Sequence, residues 1–197
     1  MNDSRIELRQ RLMVARDSLE SVAQREASEA VRGHLGSLLA DLTPGTIAAY
    51  LSYGGELDLR RTIAGLVDVG WRVVIPVIRP AFTILFAPFA PGDPLVDNHY
   101  GIGEPTTEPV GRTDIDVVLV PGVGFDRGGQ RIGHGAGYYD RFFAACEDEQ
   151  HTPWRIGTCH DIQVTDLPPA EPWDVAMHTI VSPSEVILVD EPPMGTD

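Results

Sequence analysis

Apolar residues recur near a 3.6-residue period through the first part of the chain. Ile6, Leu12, Met13, Leu19, Val22, Ala23 and Val31 predict one long or two consecutive amphipathic helices ending near Leu39. Ser4 followed by Glu7 has the form of a capping box and predicts the helix start. Thr43-Pro44-Gly45 breaks the pattern. A short apolar strand over Ile47–Leu51, a turn at Gly54-Gly55, an amphipathic helix over Leu57–Val69, a glycine stop at Gly70 and a buried strand at Val73–Ile75 follow. This βαβ order favours parallel pairing with helices on the sheet faces. Phe82–Phe89 reads as a strand or hairpin at the sheet margin, and Pro91–Thr113 as loop. The strongest strand is Ile115–Val120, in which Asp116 is the one polar residue. A helix over Tyr139–Cys146 and strands at Arg155–Thr158, Thr179–Val181 and Val186–Val189 complete an α/β pattern with no internal repeat, read as a single domain over residues 1–197.

Charge narrows the function. All 15 basic residues are arginine, against 29 acids, for a formal net charge of −14. The absence of lysine removes P-loop nucleotidases, which need one on the phosphates, and Schiff-base chemistry. The acidic balance argues against nucleic-acid and anionic-membrane partners. Gly 20 plus Pro 16 is 36 of 197 residues, about 18%, above the usual ~12% and short of the ~25–30% that marks disorder. Structured loops are therefore expected. Cys146 and Cys159 lack metal-ligand spacing and read as buried or half-exposed thiols, and Cys159 beside His160 implies no catalytic dyad. With no signal segment, a reduced cytoplasmic setting is expected. No apolar run reaches the ~18 residues of a membrane span.

After Val120 the chain reads PGVGFDRGGQRIGHGAGYYDRFF. Glycine at this density costs backbone entropy, and a loop beyond the carboxyl end of a strand is where open α/β sheets bind ligands. Gly133, Gly135 and Gly137 directly precede a helix, so they form either a cluster of structural turns or an anion cradle of amides at a helix N-terminus. The interleaved Asp126, Arg127, Arg131, Asp140 and Arg141 favour the cradle. Arginine suits bidentate phosphate contacts, and a carboxylate near phosphate suits Mg²⁺. Tyr138 and Tyr139 offer flat faces to an aromatic ligand.

The segment Asp116–Phe142 resembles the signature of 5-formyltetrahydrofolate cyclo-ligases. AYLSYGGELD, YGIGEP, the paired Arg5 and Arg9, and Asp174 follow in the family's order, so the resemblance spans nearly the whole chain. It implies a three-layer, Rossmann-like, mostly parallel open sheet with helices on both faces and an N-terminal helical segment. It also implies conversion of 5-formyltetrahydrofolate to 5,10-methenyltetrahydrofolate with ATP and Mg²⁺, through phosphorylation of the formyl oxygen and ring closure by N10. Phosphoryl transfer needs mainly positioning and charge stabilisation, so a chain without lysine can perform it.

By the same resemblance Arg5, Arg9, Arg131, Gly133, His134, Gly135, Ala136, Gly137, Tyr138 and Tyr139 bind ATP. His134 to Tyr138, with Leu51 and Glu56, reach the folate. Asp140 and Asp174 hold the metal, and Arg131, Tyr138 and Asp140 form the catalytic set. Arg5 stands where the family usually has lysine, and His178 where an acid is common. His134 reads equally as a phosphate donor, a proton carrier or a polar loop residue. Phe82, Phe86, Tyr100, Trp154 and Trp173 are candidates to wall the folate rings, core packing being the default for each. A Mg²⁺-dependent phosphohydrolase or kinase on another small substrate, and a non-catalytic nucleotide or folate binder, are the alternatives. The partners expected are small molecules only, for a monomer.

Overall fold

The computed structural model describes residues 2–148, 151–191 and 193. Two helices open the chain, α1 (Asn2–Asp17) and α2 (Ser21–Leu39). The predicted helical stretch is thus two helices, broken where the Ser18 hydroxyl donates to the Ala15 carbonyl at 2.8 Å. Helix α1 is already formed at Asn2; the Ser4 side chain, and with it the predicted capping box, falls outside the described residues.

There follow β1 (Thr46–Ala48), α3 (Arg60–Asp68), β2 (Arg72–Arg79) and β3 (Thr83–Pro88). Next come β4 (Leu95–Asp97), β5 (Gly103–Pro105), β6 (Val117–Pro121), β7 (Gly124–Phe125) and β8 (Arg131–Ile132). Helix α4 (Tyr138–Asp148), β9 (Trp154–Thr158), β10 (Thr179–Val181) and β11 (Val186–Leu188) complete the order.

Seven strands form one sheet in the order β11-β10-β9-β6-β1-β2-β3. The five inner strands run parallel, and β3 and β11 close the edges antiparallel. The inner strands are apolar on both faces because both faces are covered. Ile47, Val73, Ile75, Val117 and Leu119 point into one core with Leu35, Ile63 and Leu66 of α2 and α3. Ala48, Val74, Val118 and Val120 point into the other with Phe142, Phe143 and Cys146 of α4. A third, smaller cluster joins Leu8 and Leu12 of α1 to Val123 and Ile132 around the β7–β8 hairpin. Asp116, the polar residue of the strongest strand, accepts the Thr46 amide at 2.7 Å and locks the starts of β6 and β1 together.

Several boundaries differ from the sequence reading. Strand β1 ends at Ala48 and not at Leu51, the chain leaving the sheet there for the turn that carries Glu56. Helix α3 begins at Arg60 and not near Leu57, because Leu57 and Leu59 are delivered into the core by the preceding loop. The segment read as loop contains the β4–β5 hairpin, whose Glu104 accepts the Ile78 amide of β2 at 2.9 Å and the Asn98 side-chain amide at 2.7 Å. Three-residue strands carry too few alternations to register as a period. Among the described residues no helix is long and apolar enough to cross a membrane.

Candidate active site

β1 and β6 are neighbours, but the helices that follow them, α3 and α4, pack on opposite faces of the sheet. A crevice therefore opens beyond their carboxyl ends, the place where doubly wound sheets take ligands. Both segments singled out in the sequence emerge there, the Gly54-Gly55-Glu56 turn after β1 and the glycine stretch after β6.

The glycine stretch does two different jobs. Its first half builds the β7–β8 hairpin, closed by Asp126, whose Oδ1 accepts the amides of Gly128 and Gln130 at 2.9 Å each. Arg127 pairs with Glu185 on the surface at 2.5 Å. These two charges belong to the turn and its rim and do not line the cleft. The second half, Gly133 to Gly137, runs into the N-terminus of α4 and lines a cleft of about 770 Å³. Gly135 and Gly137 hold φ of +104° and +67°, which a side chain would oppose. A Cβ on Gly133 would stand 2.8 Å from an Arg131 Nη, so glycine there makes room for that guanidinium.

Five arginines and four carboxylates line the cleft, a net positive lining in a chain that carries −14. Arg5 and Arg9, four residues apart, share one face of α1. Arg5 Nη2 lies 2.5 Å from Asp174 Oδ2 and its Nη1 3.8 Å from Glu171, while Arg9 Nε donates to the Gly133 carbonyl at 2.9 Å. Burial, and next the nearby Arg5 charge, lower the Arg9 pKa. Arg131, 7% exposed, donates through Nη2 to both Asp140 oxygens at 3.0 Å and stacks over the Tyr139 ring at 5.6 Å. The Nε atoms of Arg5 and Arg131 are buried without a hydrogen-bond partner. Such orphaned donors suit an incoming anion.

Glu56 and Leu51 do not line this cleft; they sit beside it. Leu51 packs on the α2–α3 core. Glu56 accepts the Tyr53 amide at 3.0 Å and stands 3.5 Å from His134 Nε2 and 3.8 Å from Arg16 Nη1. His134 thus links the glycine loop to the carboxylate that follows β1. Burial and then the Glu56 charge raise the pKa values of Tyr50 and Tyr139. Tyr138 lies at the mouth with its hydroxyl 3.5 Å from that of Tyr100 and its ring 6.0 Å from Phe82. Hydrogen bonding to Tyr100, and then burial, push its pKa up to about 12. Arg141 donates to the Ala136 and Phe82 carbonyls and clamps the loop from outside.

The structure therefore gathers Arg5, Arg9, Arg131, the loop from Gly133 to Tyr139, Asp140 and Asp174 around one cleft, with Glu56 reached through His134. Phe86 and Trp154 are core residues, and of the proposed aromatic walls Phe82, Tyr100 and Trp173 are exposed. His178 does not line the cleft with Asp174: its Nδ1 accepts the Arg155 amide at 3.1 Å and its Nε2 meets the Arg155 guanidinium at 2.8 Å. Burial first, and then Arg155, lower its pKa to about 4. Cys159 is buried, which raises its thiol pKa, and the neighbouring His160 bonds the Gly55 carbonyl at 3.0 Å. No thiol–imidazole pair forms between them.

Sequence reasoning missed Arg16 and Arg155. Arg16 is 2% exposed, its Nη1 facing Glu56 at 3.8 Å without a hydrogen-bond partner, and Arg155 reaches the cleft from β9 while packing over Phe143 at 5.6 Å. Neither sits in a motif. Asp140 and Asp174 are the two carboxylates expected at a metal, and both line the cleft, each covered by an arginine. The described residues hold no cluster of three or more acid, histidine or cysteine ligands. The donor set fits Mg²⁺, which needs one or two carboxylates when substrate phosphates supply the rest.

A sequence model of the 5-formyltetrahydrofolate cyclo-ligase family matches residues 1–183. The Escherichia coli K12 5-formyltetrahydrofolate cyclo-ligase is 38% identical over 148 residues, covering 72% of this chain and 79% of that protein. The Mycolicibacterium smegmatis 5-formyltetrahydrofolate cyclo-ligase is 32% identical over 195 residues, covering 94% and 96%. The solved structure of Aquifex aeolicus 5,10-methenyltetrahydrofolate synthetase superposes with a TM-score of 0.79 at 28% identity, covering 95% of this chain and 93% of that one. With the glycine loop, its arginines and the Glu56 turn meeting at the β1/β6 crevice, the chain belongs to the 5-formyltetrahydrofolate cyclo-ligase family.

Proposed function

We propose that this enzyme converts 5-formyltetrahydrofolate to 5,10-methenyltetrahydrofolate at the expense of ATP, releasing ADP and phosphate. The observation that carries the reading is the His134–Glu56 contact at 3.5 Å, which joins an arginine-lined glycine loop to the carboxylate beyond β1. One end suits a polyphosphate, and the other suits the hydrogen-bonding edge of a pterin. Residues 1–197 are read as one domain, working as a monomer in the cytoplasm.

In this mechanism the loop amides of Gly133 to Gly137 and the N-terminus of α4 cradle the phosphates, while Arg5, Arg9 and Arg131 supply cationic hydrogen bonds. The Nε–H groups of Arg5 and Arg131, buried without a hydrogen-bond partner, can donate to a phosphate oxygen. Glu56 orients the pterin ring so that the formyl oxygen faces the γ-phosphate. That oxygen bonds to phosphorus as the bond to ADP breaks. N10 then attacks the formyl carbon, gives up its proton, and the carbon–oxygen bond breaks to release phosphate. Asp140 and Asp174 would hold Mg²⁺, which when bound neutralises charge on the phosphates. Tyr138, its pKa near 12, stays protonated and serves as a donor at the mouth.

The test is purified protein with 5-formyltetrahydrofolate, ATP and Mg²⁺, followed by the near-ultraviolet absorbance of the methenyl product and by ADP release. One ADP per methenyl product is expected. ATP loss without methenyl product would replace this reading with a phosphohydrolase, and binding of both ligands without turnover would leave a non-catalytic binder.

A further inference from the structure

Beyond the phosphate cradle the cleft continues along α4 to an end that neither motif nor resemblance assigns. Asp140, Ala144 and Glu147 all line it and, at these spacings, share one face of the helix. Seven residues at ~1.5 Å rise carry the wall ~10 Å past Asp140, enough for a nucleoside. Arg155, Ala176 and Trp173 line the same cleft.

Trp173 is anomalous there. The chain has three tryptophans, and Trp71 and Trp154 are buried at 4% and 1% exposure, whereas Trp173 is 67% exposed. A large aromatic left in solvent at the rim of a cleft has no folding role to explain it. Nor is it loosely held. It occupies the third position of a turn over Glu171–Asp174, closed by the Asp174 amide donating to the Glu171 carbonyl at 3.0 Å. The Asp174 carboxylate accepts the Glu171 amide at 2.9 Å, and Arg5 pairs with both acids. Pro172 at the second position pre-sets this turn. The same clamp that puts Asp174 beside the cradle therefore fixes the tryptophan next to it. Ala144 and Ala176, which line the same cleft, are small.

We infer that Trp173 is the stacking shelf for the nucleobase of the bound nucleotide, with Arg155 flanking the sugar and base end. The inference rests on the ATP reading above and adds the direction in which the nucleotide lies: phosphates at Gly133–Gly137, base toward Trp173. The competing direction would put a folate ring on Trp173, whereas Tyr138, Tyr100 and Phe82, in contact with one another, offer the folate rings a separate aromatic surface.

Calorimetric titration of wild type, Trp173→Leu and Trp173→Phe with Mg·ATP and with Mg·tripolyphosphate separates the alternatives. Because the two other tryptophans are buried away from the cleft's ligands, the ligand-induced change in tryptophan fluorescence, read against Trp173→Phe, reports on Trp173 in parallel. Stacking predicts that Trp173→Leu weakens ATP by about ten-fold or more while leaving tripolyphosphate unchanged, that Trp173→Phe recovers most of the loss, and that ATP quenches the fluorescence far more than tripolyphosphate does. Equal weakening of both ligands, unchanged ATP affinity in Trp173→Leu, or quenching by 5-formyltetrahydrofolate in place of ATP would overturn the shelf alone. A wild type that binds no ATP would overturn the functional reading and the shelf with it.

Discussion

Asp140→Asn tests the ion pair at the centre of the cleft, because it removes a charge while nearly preserving shape. Arg131 keeps 5% of its side chain in solvent and Asp140 18%, so the pair lies between a surface bridge and a buried one. Deleting one partner of a fully buried pair costs about 3–5 kcal/mol, and a surface pair is worth about 0–1 kcal/mol. A midway value near 2–3 kcal/mol applies, of which the asparagine carbonyl returns about 1 kcal/mol by still accepting a hydrogen bond. The net loss of about 1–2 kcal/mol corresponds to a melting temperature lower by roughly 2–8 °C in a chain of this size. Turnover at a temperature where both proteins are folded should fall by about 100-fold or more, since charge on the phosphates loses its organised partner. The half-saturating Mg²⁺ concentration should rise. Differential scanning calorimetry and the methenyl absorbance assay measure the two effects separately. A variant that melts with the wild type and turns over at its rate would refute both the energetic argument and the assignment of Asp140 to the metal.

Glu56→Gln keeps the acceptor for the Tyr53 amide but loses the charge facing His134 and Arg16. The KM for the folate should rise about ten-fold or more with the KM for ATP nearly unmoved, and a shift confined to ATP would contradict the division of the site. Gly129 holds φ of +87°, and a Cβ there would stand 2.5 Å from the Met177 carbonyl, so Gly129→Ala should destabilise by about 2 kcal/mol or more in urea unfolding; wild-type stability would contradict the clash. His178 is held near pKa 4 in the fold against 6.5 unfolded. The unfolded chain therefore takes up a proton that the folded chain resists, and stability present above pH 6.5 is lost as pH falls toward 4. His178→Gln should flatten that decline, and identical pH profiles for the two proteins would contradict it.

Much of the fold was legible because parallel strands buried on both faces leave unbroken apolar runs such as Val117–Val120, and because Thr43-Pro44-Gly45 and Gly70 mark real ends. The β4–β5 hairpin was not legible, since it is held by Glu104 reaching β2 and not by its own pattern. At the site, the glycines and the Arg131–Asp140 pair lie close in sequence and could be read together. Arg16 and Arg155 could not: each owes its place to packing, one under the Gly54-Gly55 turn and one over Phe143. Asp126 and Arg127 looked like ligands by position, but a tight turn consumes the first and Glu185 the second. The absence of lysine proved informative in a different way, because Arg5, which stands where the family usually has lysine, keeps a buried Nε with no hydrogen-bond partner, as does Arg131.

The central claim is that the formyl oxygen itself is phosphorylated between the glycine loop and the Glu56 turn. It is tested most directly by supplying 5-formyltetrahydrofolate carrying a heavy oxygen isotope in the formyl group, with unlabelled ATP and Mg²⁺, and analysing the products by mass spectrometry. The account predicts one labelled oxygen in each phosphate released and none in ADP or water. Label appearing in water, with unlabelled phosphate, would contradict it.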